Sequence, residues 1–349
     1  MRQARLAWIG AFAIALATLV VLSGCTIPFV NVEVPVNVPE AEEVGQEASD
    51  LGIPVVKLPF GVSTSVEEAR QKVLSGKAST LGEGTLVVPG YLTVGVRTLT
   101  SSAPMCVQGE NGILYGLDVD LAAALASEMG LKVRYVSVTD TSLLGSDCDI
   151  VMDTAPDTSG RVAVVGNYVQ TASSFFYRGD TTVLVPTDLG GKSVGLQSGS
   201  NSETVLNRTG LMMSQQSFPS LNDAFDALAA GQVDFVLCEA YPGAYLATFH
   251  PGVSFAGSLE LPEYYGVGAL SANSELVGQL QAAYDVITAN GTLEDVRSRW
   301  VGSMPALSEF SLIPDIPEGD SSASLTSPDQ VGVGSNNGSG AGANAITSI

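Results

Sequence analysis

Histidine and basic charge are both scarce in this chain of 349 residues. His250 is the only histidine, which argues against histidine-based metal sites and Ser/His catalytic triads, and we interpret it as a solvated loop residue. Lysine and arginine number 15 against 36 aspartate and glutamate residues, so the formal net charge is −21. A surface of this sign repels phosphate backbones and argues against nucleic-acid binding.

Cysteine is scarce as well. After Cys25 the chain has only Cys106, Cys148 and Cys238, and their spacing matches no metal-binding pattern. A disulfide is possible if the protein works outside the membrane, but one of the three thiols must then stay unpaired, and the sequence does not select the pair. The alternative is that all three are small buried hydrophobic residues.

The first 25 residues have the features of an export signal. Arg2 and Arg5 precede an uncharged apolar stretch from Leu6 to Leu22, and the sequence L-S-G-C ends at Cys25. A retained transmembrane anchor is one interpretation, since the stretch approaches the length that spans a bilayer. A small-residue site directly after the apolar stretch favours a cleaved signal instead. The L-S-G-C sequence resembles the lipobox of bacterial lipoproteins, which implies that Cys25 is lipidated.

The two flanks of the chain are interpreted as accessory segments. Residues 26–85 form a tether and N-terminal extension, because three early prolines favour an extended chain and a capping box at Ser65–Glu68 predicts one short helix that ends near Gly76. Residues 303–349 are expected to be a largely disordered tail, since the region from about Glu318 is rich in serine, glycine and asparagine.

Between these flanks, strand and helix patterns alternate. Strands are predicted at 92–96, 132–138, 150–152, 193–196 and 233–237, and helices at 118–129, from Ser200 onward and at 221–230. Two such series predict two α/β lobes with largely parallel sheets. In sheets of this kind, ligands bind beyond the carboxyl ends of the strands, here in a cleft between the lobes.

Several stretches in order resemble the family 3 (amino-acid type) extracellular solute-binding proteins of bacterial ABC importers. They include L-T-V-G-V at Leu92–Val96, G-L-D-V-D-L-A-A-A-L-A at Gly116–Ala126, D-I-V-M-D-T-A-P-D-T-S-G-R at Asp149–Arg161, D-L-G-G-K-S-V-G-L-Q-S-G-S at Asp188–Ser200, A-A-G-Q-V-D at Ala229–Asp234 and N-G-T-L-E-D-V-R-S-R-W-V-G at Asn290–Gly302. The resemblance implies an α/β, two-lobed periplasmic-binding-protein-like fold (type II), with a cleft between lobes joined by hinge strands. It places lobe 1 at 86–178 plus 266–302 and lobe 2 at 179–265.

The same resemblance implies a binding site for an amino acid. Arg161 falls where the family clamps the ligand's α-carboxylate, which suits the planar guanidinium fork. Its alternative role is a surface ion pair with Asp157. Glu239 falls where the family holds the ammonium group, and its alternative is an ordinary charge in the first turn of a helix.

Four further residues complete the expected ligand-binding set. Ser200 and Asn201 begin a helix whose N–H groups would face an anion, although simple capping would place them there too. Asp153 and Thr154 end a strand and would line the cleft. The loop Ser101–Met105 lacks the aromatic residue that is common in the family, and Pro156 lacks an N–H group. The acids Asp153, Asp157 and Glu239 could therefore favour a cationic group instead.

The expected function is transport without chemistry. The resemblance implies a lipid-anchored, extracytoplasmic, monomeric protein that passes a small polar ligand, such as an amino acid, to an ABC permease, with no cofactor and no metal. The alternative is a periplasmic dehydratase of the same fold that acts on a prephenate-like acid, in which Glu239 or Asp153 would serve as general acid.

Overall fold

The computed structural model describes residues 77–97, 103–108 and 114–318. Predictions for the signal and Cys25, for the short helix at 65–76 and for the tail beyond residue 318 lie outside these residues. In chain order the elements are β1 (Tyr91–Arg97), β2 (Val107–Gln108), β3 (Leu114–Tyr115), α1 (Leu117–Glu128), β4 (Lys132–Val138), β5 (Ile150–Thr154), β6 (Val162–Thr171), β7 (Ser173–Arg178), α2 (Pro186–Leu189), β8 (Ser193–Gln197), α3 (Asn201–Asn207), β9 (Ser214–Phe218), α4 (Leu221–Ala229), β10 (Phe235–Glu239), α5 (Ala240–Ala247), β11 (Val253–Ser258), β12 (Glu263–Leu270), α6 (Ser274–Ala289) and α7 (Thr292–Val301).

Two five-stranded sheets define the two lobes, which confirms the predicted fold class. The first sheet has the order β4-β1-β5-β12-β6 and the second has the order β11-β7-β10-β8-β9. In the first, β4, β1 and β5 are parallel and β12 runs against its neighbours; in the second, β9, β8 and β10 are parallel and β7 runs against its neighbours. The carboxyl ends of three parallel strands in each lobe therefore form an edge of the kind that binds ligands.

The chain passes between the sheets at two short connections. Only Ala172 separates β6 in the first sheet from β7 in the second, and residues 259–262 lead back from β11 to β12. The sequence analysis placed these boundaries at 178/179 and 265/266, so it assigned β7 to the wrong lobe. Strands β6 and β7 follow each other without a turn signal, and the sequence pattern gives no reason to separate them.

The core forms because the strands and helices predicted from the sequence are apolar where they meet. Strand β1 is buried along its whole interior, and α1 packs on it through Leu121, Leu125 and neighbouring residues. Helix α1 ends at Gly130, whose φ of +68° few other residues adopt easily. The strong local patterns thus gave nearly correct element bounds in the first lobe.

Residues 303–318 differ from the expected tail. Met304, Leu307 and Ile313 are each at most 4% exposed; Met304 and Leu307 pack in a core cluster that includes residues of both lobes, and Ile313 packs in the core of the second lobe. The backbone N–H of Ile313 donates to the carbonyl of Ser258 in β11 at 2.9 Å. Prolines at 305, 314 and 317 leave the apolar residues without a helix or strand period, which explains why the sequence pattern did not reveal their burial.

Candidate functional site

The carboxyl end of β5 contains a β-bulge that turns Asp153 out of the regular ladder. Met152 and Asp153 together oppose the single residue Val267 of β12. Asp153 has a φ of +51°, a left-handed conformation that is uncommon outside glycine but that aspartate tolerates better than most residues. A bulge of this kind re-aims a side chain. The Asp153 carboxylate accepts no hydrogen bond from the described residues, and only the Arg97 guanidinium compensates its charge.

A buried tyrosine holds this bulge. The Tyr168 hydroxyl accepts the backbone N–H of Asp153 at 2.6 Å and donates to Oδ1 of Asp118 at 2.6 Å. Tyr168 is 2% exposed and Asp118 3%. Burial raises the pKa of Asp118 well above its usual value, and the nearby Asp153 charge raises it further. Burial also raises the pKa of Asp153, which the positive charge of Arg97 partly offsets. These two carboxyls are costly to ionise unless a cation is brought to them.

Two arginines lie along the same edge of the first lobe. Arg97, the last residue of β1, has a buried Nε without a hydrogen-bond partner among the described residues. Arg161 is exposed, and its guanidinium donates to the carbonyls of Thr141 at 3.1 Å and Ser142 at 3.3 Å. Hydrogen bonds from Ser142 lower the pKa of Asp140, and the positive charges of Arg97 and Arg161 lower it further. Arg161 therefore stands in the neighbourhood of Arg97, which in turn acts on Asp153.

Asp157, which the sequence analysis offered as the alternative partner of Arg161, is hydrogen-bonded to other groups. Asp157 accepts the backbone N–H and the hydroxyl of Ser159, both at 2.8 Å, and the N–H of Val162 at 2.8 Å. These bonds hold the pKa of Asp157 below its usual value. No ion pair joins Asp157 to Arg161 within the described ranges, so the guanidinium is fixed by two carbonyls and keeps N–H donors for another acceptor.

A cavity of about 760 Å³ lies at the carboxyl ends of β8, β9 and β10, and Ala103 and Val107 of the first lobe also line it. Helices α3, α4 and α5 all begin there, so three sets of first-turn N–H groups border it. Of the expected ligand-binding residues, Ser200, Asn201 and Glu239 line the cavity. Ser200 caps α3 by accepting the N–H of Glu203 at 3.3 Å, and the Glu203 carboxylate accepts the N–H of Gly199 at 2.9 Å. The N–H groups of Gly199, Ser200 and Glu203 are thus already bonded, and first-turn N–H groups such as that of Asn201 remain for an anionic group.

Glu239 adds a carboxylate to the same cavity. It ends β10, and one of its oxygens accepts the hydroxyl of Thr171 at 2.6 Å. The phenol of Tyr265, in β12, donates to Glu263 at 2.8 Å. Burial and this hydrogen bond raise the pKa of Tyr265 to about 12, and the charges of Asp153 and Glu239 also contribute. Tyr265 therefore lies within electrostatic reach of an acid from each lobe.

The structure places the expected ligand-binding residues in two separate groups. Ser200, Asn201 and Glu239 line the second-lobe cavity, whereas Asp153 and Arg161 lie at the first-lobe edge. Thr154 is buried, and its hydroxyl donates to the carbonyl of Val151 at 2.9 Å, so its side chain does not line the cavity.

Sequence reasoning missed three residues of this region, Arg97, Tyr168 and Tyr265. Arg97 had a usable signal, because a charged residue directly after a buried strand belongs to the carboxyl edge of a sheet. Tyr168 and Tyr265 had none, since each lies within a long strand and its role depends on residues that are distant in the sequence.

The remaining cysteines and the histidine are buried or already hydrogen-bonded, although Cys238 and His250 also line the cavity. Cys106, Cys148 and Cys238 are buried free thiols, and burial raises the pKa of Cys148 to about 12. The side chain of His250, expected to be solvated, is only 15% exposed; its ring nitrogens lie 2.9 Å from the carbonyl of Leu246 and 3.0 Å from Oδ1 of Asp226.

Within the described part of the chain, no group of acids, histidines and cysteines is arranged to hold a metal ion, and no helix is long and apolar enough to span a membrane.

Comparison with known proteins adds an independent line of evidence. The model of the family described as bacterial extracellular solute-binding proteins, family 3, matches residues 92–303. An arginine-binding periplasmic protein of Mannheimia haemolytica is 26% identical over 214 residues, which cover 58% of this chain and 88% of that protein. ABC transporter arginine-binding protein 1 of Escherichia coli is 27% identical over 205 residues, which cover 55% of this chain and 84% of that protein.

Solved structures show the same architecture. The substrate-binding protein of a polar amino acid ABC uptake transporter from Streptococcus thermophilus is 16% identical, with a TM-score of 0.56 over 63% of this chain and 89% of the other. At this identity the likeness concerns the fold alone.

Proposed function

Because the chain belongs to the bacterial extracellular solute-binding proteins of family 3, we propose that it binds an amino acid with a cationic side chain and delivers it to an ABC importer. The observation that carries the cationic preference is Asp153. Its carboxylate is held in a left-handed bulge, accepts no hydrogen bond from the described residues and has a pKa raised by burial. A partly buried carboxylate whose charge Arg97 offsets only in part is stabilised further by a ligand that brings a positive charge.

Each end of such a ligand has a matching group. The α-carboxylate is assigned to Arg161, whose guanidinium is held by two carbonyls, and to the first-turn N–H groups of α3, which begin at Asn201 after the N-cap Ser200. Asp153 and Glu239, one from each lobe, are assigned to the two cationic groups of the ligand. Acids from both lobes would then be bridged by one ligand, which favours the closed arrangement of the lobes.

The relatives support the same ligand class. Two of them are described as arginine-binding proteins, and both align over more than four-fifths of their own length. An amino acid with a neutral side chain would leave either Asp153 or Glu239 without a counter-charge in a partly buried site, and this penalty selects against it.

A set of matched ligands tests the proposal. L-arginine should raise the melting temperature by mass action and bind in titration calorimetry. L-citrulline has nearly the same shape but a neutral side chain, and agmatine has the guanidinium without the carboxylate; both should bind at least about tenfold more weakly, because each loses one charge-assisted contact. Equal binding of L-arginine and L-citrulline would contradict the cationic preference. Turnover of a bound acid, seen by chromatography, would favour the dehydratase instead.

Anchoring at the membrane is a separate part of the proposal. We infer from the L-S-G-C sequence that Cys25 is lipidated and that the monomeric protein stays at the outer face of the membrane near its permease. Cys25→Ser should release the protein from the membrane fraction or leave its signal unprocessed. Cys148→Ser, which alters a buried thiol, is the matched control and should fractionate as the wild type does.

A further inference from the structure

Two bulges meet around one glycine of β12. In β5, Met152 and Asp153 oppose one residue; in β6, the three residues Gly166–Tyr168 oppose Gly266. A Cβ atom at Gly266 would lie 2.2 Å from the carbonyl oxygen of Gly166, so only glycine allows β6 this close. The bulge in β6 includes Tyr168 and directs its side chain to Asp153 in β5 and Asp118 in α1, although β12 lies between β6 and β5.

The two hydrogen bonds of the Tyr168 hydroxyl differ in what they do. The bulge removes the Asp153 N–H from the ladder, and a buried N–H without an acceptor is unfavourable by about 1–3 kcal/mol. Tyr168 supplies that acceptor, while its own proton goes to the Asp118 carboxylate. Because the backbone N–H of Asp153 can only donate, the Tyr168 oxygen must accept from it, and the hydroxyl proton remains for Asp118.

We propose that Tyr168 is a positioning residue for ligand binding: its hydroxyl holds the Asp153 bulge and so aims the Asp153 carboxylate at the ligand's cationic group. The inference rests on the proposed function, because it assigns Tyr168 a role through Asp153 rather than a contact of its own. At 2% exposure Tyr168 has little surface to offer a ligand. Its effect on affinity must therefore pass through Asp153.

The first test removes only the hydroxyl. Tyr168→Phe should weaken L-arginine binding about tenfold in titration calorimetry, since the carboxylate is no longer held in its binding conformation. Tyr135→Phe is the matched control: this hydroxyl also lies in the first lobe and donates to the carbonyl of Val119 in α1 at 3.2 Å. The control should stay within about twofold of wild-type affinity. A folded Tyr168→Phe protein with wild-type affinity would overturn the inference.

A double-mutant cycle separates positioning from a structural role. Asp153→Gly keeps the left-handed bulge without strain but removes the carboxylate. In this background Tyr168→Phe should change the dissociation constant for L-arginine by less than about twofold, because the carboxylate that the Tyr168 hydroxyl positions is absent. An equal loss in both backgrounds would show that the hydroxyl supports the fold in general, and the proposal would be wrong.

A third measurement needs no ligand. Amide hydrogen exchange at Asp153 should be at least about tenfold faster in Tyr168→Phe than in wild type, because the N–H loses its acceptor, and it should be unchanged in Tyr135→Phe. If the wild type binds no cationic amino acid, the proposed function fails, and this measurement still decides whether Tyr168 holds the bulge. Equal exchange rates in wild type and Tyr168→Phe would refute it.

Discussion

The two edges that face the cleft are built in different ways. At the first-lobe edge, two paired bulges, a left-handed aspartate and a buried tyrosine fix the carboxylate of Asp153. At the second-lobe edge, regular helices begin at the ends of regular strands, and Ser200 and Ser220 cap α3 and α4 in the ordinary way. The first edge concentrates charge on individual side chains, whereas the second sets several backbone N–H donors beside the carboxylate of Glu239.

This difference has a functional consequence. A carboxylate in a left-handed, partly buried bulge, whose charge Arg97 offsets only in part, discriminates between ligands with and without a positive charge. Helix N-termini bind any anionic group with modest selectivity. We therefore expect substitutions at the first-lobe edge to change specificity, and those of the helix caps at the second-lobe edge to have small and general effects.

The largest effect is expected at Asp153. Asp153→Asn keeps the size of the side chain and tolerates the left-handed conformation, but it removes the charge that meets the ligand's cation. Loss of one partner from a partly buried ion pair is unfavourable by about 3 kcal/mol, so L-arginine affinity should fall about a hundredfold in titration calorimetry. Asp180→Asn, in an exposed loop of the second lobe, is the control and should bind normally. Equal affinities for the two variants would remove the contrast between the edges.

A smaller loss is expected for Arg161. Arg161→Ala removes a charge-assisted and potentially bidentate contact to the α-carboxylate, and L-arginine affinity should fall at least about tenfold. Arg161→Lys should also bind poorly, because an ammonium group does not reproduce the guanidinium fork. Arg134→Ala changes an exposed arginine of β4 and serves as the control. If Arg161→Ala binds like Arg134→Ala, the carboxylate is held elsewhere, and Arg97, whose Nε has no hydrogen-bond partner among the described residues, becomes the first residue to substitute.

The sequence predicted the second edge better than the first for a physical reason. Ser200 and Ser220 begin helices through contacts with residues three positions away, so their role is visible in a short stretch of sequence. The bulge at Asp153 depends on Val267 and Gly266, more than a hundred residues later in the chain. Tyr168 depends on the same glycine and shows no local signal. The burial of Ile313 likewise requires a partner, Ser258, that no local pattern indicates.

A third prediction uses pH to distinguish the edges. Burial raises the pKa of Asp153 above its usual value of roughly 4, and the ligand's cation binds the ionised form. Above the raised pKa, binding releases no proton and affinity should be constant. Below it, the ligand must displace a proton, so affinity should fall by up to about tenfold per pH unit. This acid limb should persist in Arg161→Ala and vanish in Asp153→Asn. An unchanged limb in Asp153→Asn would assign the titration to another group.

The smallest effect on affinity is expected at the second edge. Ser200→Ala removes the side chain that caps α3, which should lower the free energy of unfolding by about 1 kcal/mol, but the first-turn N–H groups of the helix remain. Affinity for L-arginine should therefore change by less than about threefold. Ser220→Ala removes the equivalent cap of α4 and should show the same loss of stability in denaturant unfolding. If Ser200→Ala instead weakens binding more than tenfold while Ser220→Ala does not, the Ser200 hydroxyl contacts the ligand directly. The second edge would then select its ligand through a side chain, as the first does through Asp153.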